Sequence, residues 1–118
     1  MSTIKPDKID AVIHEPARLA IVSALAVAPE MSFKELKTTL GLTDGNLSVH
    51  ARTLEDAGYI AIHKTFEGRK PLTTMQLTRK GREAFSKYLD TLRQVIEQGE
   101  EAEEGATRRL SLPARHQR

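Results

Sequence analysis

Between Pro29 and Gly58 the chain carries the punctuation of two short helices set one tight turn apart, and few folds accommodate that spacing. Ser32, followed three residues later by Glu35, is a capping box that starts a helix carrying Phe33, Leu36 and Leu40 as its apolar stripe. Gly41 supplies the left-handed residue that ends it, Leu42 packs inward, and Thr43 is the N-cap of the next helix, which runs to Gly58. Two short helices joined by a glycine-containing turn make a helix-turn-helix.

The flanking segments extend the pattern in both directions. Pro6 and Asp7 predict a short helix to about His14, with Ile9, Val12 and Ile13 on one face. Glu15-Pro16 interrupts it, and Pro16 opens a mostly buried helix to about Ala28 through Leu19, Ile21, Val22 and Leu25. After Gly58 the period changes from helical to alternating. Tyr59 to Phe66 reads as a strand with Ile60, Ile62 and Phe66 on one face, Glu67 to Pro71 as a turn, and Leu72 to Leu77 as a second strand. Thr78 caps a last helix to about Gln98, with Phe85, Tyr88, Leu89, Leu92, Val95 and Ile96 at helical spacing. The fold class expected is mainly α with a small β-hairpin (α+β): one domain over residues 1–98, followed by a disordered charged tail over 99–118, acidic from Glu100 to Glu104 and basic from Arg108.

Composition narrows the chemistry. At 118 residues one core is the working size, and the absence of cysteine removes both a disulfide framework and a thiolate metal site. The longest apolar run, Leu19 to Ala28, is about half of what a bilayer span needs, so a cytoplasmic protein is expected. The net charge of +2 is small, but it is unevenly placed. From Thr43 to Arg82 there are four acids (Asp44, Glu55, Asp56, Glu67) against seven bases (Arg52, Lys64, Arg69, Lys70, Arg79, Lys80, Arg82), a surplus of three. No nucleophile elbow, phosphate-cradling glycine loop or metal-binding histidine pair is present, and His14, His63 and His116 have no ligand spacing. An enzyme is not expected, nor is a metal or other cofactor.

Two stretches in this order carry a family resemblance. LTDGNLSVHARTLEDAGYI (Leu42 to Ile60) resembles the recognition-helix segment of MarR/ArsR-like winged helix-turn-helix regulators, and KTFEGRKPLTTMQLTRKGREAF (Lys64 to Phe85) resembles their wing and following helix. The resemblance covers roughly Ile9 to Leu92 and implies a transcriptional regulator that binds double-stranded DNA as a homodimer. The chain departs from the related pattern at Ala51, where a leucine is common, and at Thr53, where a lysine is common and would add a phosphate contact.

The residues support the same reading when placed at 100° per step. Leu47, Ala51, Leu54 and Ala57 form the inner side of the 43–58 helix, while Gly45, Ser48, Val49, Arg52 and Asp56 lie opposite, flanked by Asn46 and Thr53. Short outward groups suit a helix whose backbone enters the major groove. Thr43, Gly45, Asn46 and Ser48 sit near the end that reaches base edges, Val49 is placed for a thymine methyl, and Arg52 pairs with a guanine or a phosphate. His50, nearer the core, is expected in a mixed role, closing the packing at the domain edge and donating to a phosphate. Lys64, Arg69 and Lys70 surround the hairpin turn, projected toward phosphates or a minor groove.

The last helix is longer than one small domain needs. Phe85, Tyr88, Leu89, Leu92, Val95 and Ile96 are expected to pair with a second copy, matching protein symmetry to a pseudo-palindromic site. A small-molecule effector between the domain and these helices is compatible with the family resemblance, although no residue declares one. The alternative is a winged-helix module that binds protein without specific DNA recognition, since one fold serves many functions.

Overall fold

The computed structural model describes residues 4–116, with side chains as far as Leu110. A 3₁₀ turn at Pro6–Lys8 leads to α1 (Pro16–Val27), then β1 (Met31–Ser32), α2 (Phe33–Leu40), α3 (Asp44–Asp56), β2 (Ile60–Glu67), β3 (Lys70–Leu77) and α4 (Arg79–His116).

Each helix start is chemically specified. Pro16 opens α1, and Glu15 caps it through Oε1, which accepts from the Arg18 amide at 2.8 Å. At α2 both halves of the capping box form: the Glu35 amide donates to Ser32 Oγ at 3.0 Å and the Ser32 amide to Glu35 Oε1 at 2.8 Å. Gly41, at φ 67°, closes α2 in the left-handed conformation, and Thr43 Oγ1 then accepts from the Asn46 amide at 3.1 Å to start α3. Thr78 Oγ1 donates to the Gly58 carbonyl at 2.6 Å and accepts from the Gly81 amide at 3.0 Å, so one hydroxyl starts α4 and ties it to the end of α3.

The sheet is antiparallel in the order β1-β3-β2. Ile60 faces Leu77 and Ile62 faces Met75 in the register of the hairpin, so the apolar residues of both strands share a face. That face lies over α1, α2 and α3. Ile21, Val22, Leu25, Leu36, Leu47, Leu54, Ile60 and Met75 make a single buried cluster. Removing a leucine from such a site costs about 2–5 kcal/mol.

Five expectations require correction. The segment predicted as a helix to His14 is helical only at Pro6–Lys8, because Asp10 Oδ1 takes the amides of Val12 (2.9 Å) and Ile13 (3.2 Å) into a side-chain-bonded turn. The hairpin turn is two residues long instead of five. Glu67 pairs with Lys70, and Gly68 at φ 65° takes the first central position of a turn in which Arg69 keeps a negative φ, the pattern of type II′. Met31 and Ser32, outside both expected strands, add a short edge strand against Met75 and Thr74. Phe66 shares the inner face by register but lies beyond the reach of the helices and is 68% exposed.

The largest correction concerns α4, which does not end at Gln98 but continues to His116, within the segment expected to be a disordered tail, of which residues 117 and 118 lie outside the described residues. Glu, Ala, Gln and Arg dominate residues 97–109, and these are strong helix formers even where no apolar stripe demands order. Among the described residues no helix is long and apolar enough to cross a membrane.

Candidate nucleic-acid interface

The capped helix α3 and the β2–β3 hairpin project from the same side of the core and enclose a groove of about 730 Å³. Ser48, Arg52 and Glu55 line it from α3, Ile62 and Lys64 from β2, and Thr73 and Met75 from β3. Phe33 and Ala51 complete its lining. Leu47, Ala51 and Leu54 are buried against the core, as the helical spacing requires, so α3 must present its other face outward. On that face Gly45, Asn46, Ser48, Val49 and Arg52 are exposed, Val49 by 64%.

The leading turn of α3 is open. Thr43 satisfies the Asn46 amide, while a methyl placed on Gly45 would meet nothing in the chain within 4 Å. The backbone there is free to approach a ligand closely, and the helix N-terminus favours an anion. Asp44 is partly neutralised by Lys37 of α2 at 2.8 Å, which also braces the two helices at a surface-pair value of about 0–1 kcal/mol.

Across the groove, Lys64, Arg69 and Lys70 are all exposed on the hairpin. Among the described residues none of these three, nor Arg52, takes part in an ion pair. Four cations with no intramolecular ion pair, set on the two arms that frame one groove, outnumber Glu55, the one carboxylate that lines it, and leave the groove net positive.

Two of the expected contact residues also bond within the chain. Nδ1 of His50 faces α1, 3.3 Å from Arg18 Nη1 and 3.7 Å from Glu15 Oε1. The Thr53 hydroxyl donates back to the Val49 carbonyl at 3.2 Å, within its own helix. On α4, Phe85 packs against the domain's own core, and Tyr88 is 2% exposed with its hydroxyl 2.8 Å from His14 Nδ1. Those two of the six residues expected at a dimer face are thus covered by their own chain, while Val95 and Ile96 remain 39% and 54% exposed.

Sequence reasoning missed Glu55 and Thr73 in the groove and Arg18 behind it. Glu55 was detectable, since Ser48, Arg52 and Glu55 follow helical spacing; Thr73 required the strand register, and Arg18 the docking of α1 on α3. The side chain of Glu15 is held below the usual carboxylate range, first by the Arg18 amide it caps and further by the Arg18 charge and the Ala17 amide, against the opposing effect of burial.

A helix-turn-helix whose second helix and β-hairpin frame one cationic groove defines a winged-helix nucleic-acid-binding protein. Residues 17–96 match the winged helix DNA-binding domain family, and the chain belongs to that family. It is 32% identical over 84 residues to an uncharacterised protein of Methanocaldococcus jannaschii, spanning 71% of this chain and 91% of the relative. Its fold is similar to that of a transcriptional regulator homologue from Pyrococcus horikoshii OT3, with a TM-score of 0.69, 32% identity, and coverage of 73% of this chain and 85% of that one. It is also similar in fold to PadR of Bacillus subtilis, solved in complex with operator DNA: TM-score 0.56, 21% identity, 64% of this chain and 48% of PadR.

Proposed function

We propose that the chain is a DNA-binding transcriptional regulator that acts in the cytoplasm as a dimer on a pseudo-palindromic operator. Helix α3 enters the major groove, and the hairpin lies along phosphates or in the adjoining minor groove. One observation carries this reading: Arg52 on α3 and Lys64 on the wing line one open groove, with Arg69 and Lys70 at the wing's turn, and none of the four has an intramolecular ion pair among the described residues. The Pyrococcus regulator homologue and the operator-bound PadR support it as relatives in fold.

The roles divide by chemistry. Thr43, Gly45, Asn46 and Ser48 stand at the base-reading end of α3, Val49 offers a methyl-sized contact, and Arg52 pairs with a guanine edge or a phosphate. The wing cations supply sequence-independent affinity. Leu89, Leu92, Val95 and Ile96 on α4 meet a second copy, placing two α3 helices in half-sites about 10 bp apart. An effector would act on the junction between the domain and α4.

Titration of labelled duplex at two salt concentrations tests the reading. Binding should weaken steeply with salt, and the Arg52→Ala, Arg69→Ala double variant should lower both the affinity and the salt slope, the latter by roughly one for each phosphate no longer neutralised. Binding that is indifferent to salt and to both substitutions would overturn it.

A further inference from the structure

Arg18 lies on α1, outside the groove, yet its guanidinium reaches the recognition helix. Nε donates to the Val12 carbonyl at 2.5 Å and Nη2 to the Ala11 carbonyl at 3.4 Å, while Nη1 lies 3.3 Å from Nδ1 of His50. A guanidinium carries only donors, so the histidine nitrogen in this contact must be the acceptor. The lone pair of Nδ1 is thereby engaged, and the ring proton belongs on Nε2. Glu15 does not compete for the contact: its Oε1 is 3.7 Å from Nδ1, beyond hydrogen-bond distance, and already accepts from the Arg18 amide.

We infer that Arg18 is a positioning residue for DNA recognition, holding His50 in the Nε2–H form so that the recognition helix presents a fixed neutral donor to a backbone phosphate. The inference rests on the reading of α3 as the recognition helix. The two carbonyl anchors give the arrangement its rigidity. With Nε and Nη2 tied to residues 11 and 12, the guanidinium plane is fixed before DNA arrives, and the imidazole loses no orientational freedom on binding. His50 is half-buried at the α1–α3 junction, where a ring without such a partner would sample both tautomers.

The test reads the ring and the DNA separately. Long-range ¹H–¹⁵N correlation spectra of the free protein should show His50 in the Nε2–H form at neutral pH. In Arg18→Met, which keeps the aliphatic stem, the same ring should become a mixture of tautomers, and Arg18→Lys, which keeps a donor, should restore part of the original signature. Affinity for duplex should fall roughly 3- to 10-fold in Arg18→Met, the worth of one ordinary hydrogen bond. His50→Leu should lose a similar factor, and the double variant should lose no more than either single one, because both changes delete one interaction. An Nδ1–H ring in the parent protein, an unchanged ring in Arg18→Met, or additive losses in the double variant would overturn the inference. Should Arg18→Met fail to fold, the parent spectrum and the His50→Leu titration still decide it. A parent protein that binds no duplex at all would instead refute the recognition-helix reading, with the ring spectra unaffected.

Discussion

The phenol of Tyr59 donates a 2.6 Å hydrogen bond to Asp10 Oδ2, tying the entrance of the wing-bearing sheet to the turn that precedes α1. The other oxygen of the same carboxylate holds that turn through the amides of Val12 and Ile13. A single side chain therefore joins the N-terminal segment to the hairpin, and Tyr88, through His14, joins the same segment to α4.

Burial, and then the bond to Asp10, push the Tyr59 phenol up to about 12, and burial with the charge of Asp10 also raises Tyr88. Between about pH 10 and pH 12 the folded chain keeps a proton that the unfolded chain has released, so rising pH favours unfolding. The contribution of Tyr59 to stability is intact below pH 10 and declines through about pH 12. With two tyrosines and no tryptophan, tyrosinate absorbance follows these two groups alone. The later of the two native transitions should disappear in Tyr59→Phe; native midpoints both near 10 would contradict the burial argument.

Gly81 has the tightest surroundings of the glycines. A methyl built there would lie 2.1 Å from the Tyr59 carbonyl oxygen and 2.9 Å from Leu77 Cδ1. Gly81→Ala should therefore destabilise the protein by about 3 kcal/mol, the upper end of overpacking, despite the better helix propensity of alanine. Urea denaturation measures the change. A stability equal to or above that of the parent would show that α4 is free to move off the sheet.

Ser32→Ala removes one half of a complete capping box and should cost about 1 kcal/mol in thermal or urea unfolding. Thr43→Ala should cost a similar amount, about 1 kcal/mol, and in addition weaken duplex binding, because the cap orders the turn that faces the DNA. Equal effects of the two substitutions on DNA affinity would show that the Thr43 cap acts on stability alone.

Ile96 is 54% exposed on α4 and packs on nothing in its own domain core. Ile96→Glu should leave the monomer fold within about 0.5 kcal/mol of the parent while shifting sedimentation equilibrium toward the monomer. Unchanged association would place the dimer contact elsewhere.

Much of this architecture was written locally. Ser32 with Glu35, Gly41, Thr43 and Thr78 mark helix ends through bonds that span three or four residues, so the residue types alone announce them. The buried side of α3 followed from spacing for the same reason, as did its outward Gly45, Ser48 and Arg52. The N-terminal helix failed as an expectation because Asp10 bonds its neighbours' amides more favourably than a helix would, a local competition that apolar periodicity does not register. The extent of α4 failed because a charged segment was read as unstructured, although its residue types favour helix.

The sequence by itself determined the order of α1, α2, α3, the hairpin and α4, the cationic wing and the face that α3 buries, since these depend on residue type at short separation. Only the tertiary structure decided which partners meet across that order. It turned Nδ1 of His50 toward Arg18, put Tyr88 under its own chain against His14, paired Met31 with Met75, and closed α3 and the wing around one groove. Each of those residue pairs is separated by far more chain than a helical turn or a hairpin loop spans. At such distances the docking of elements, and no local preference, selects the neighbour.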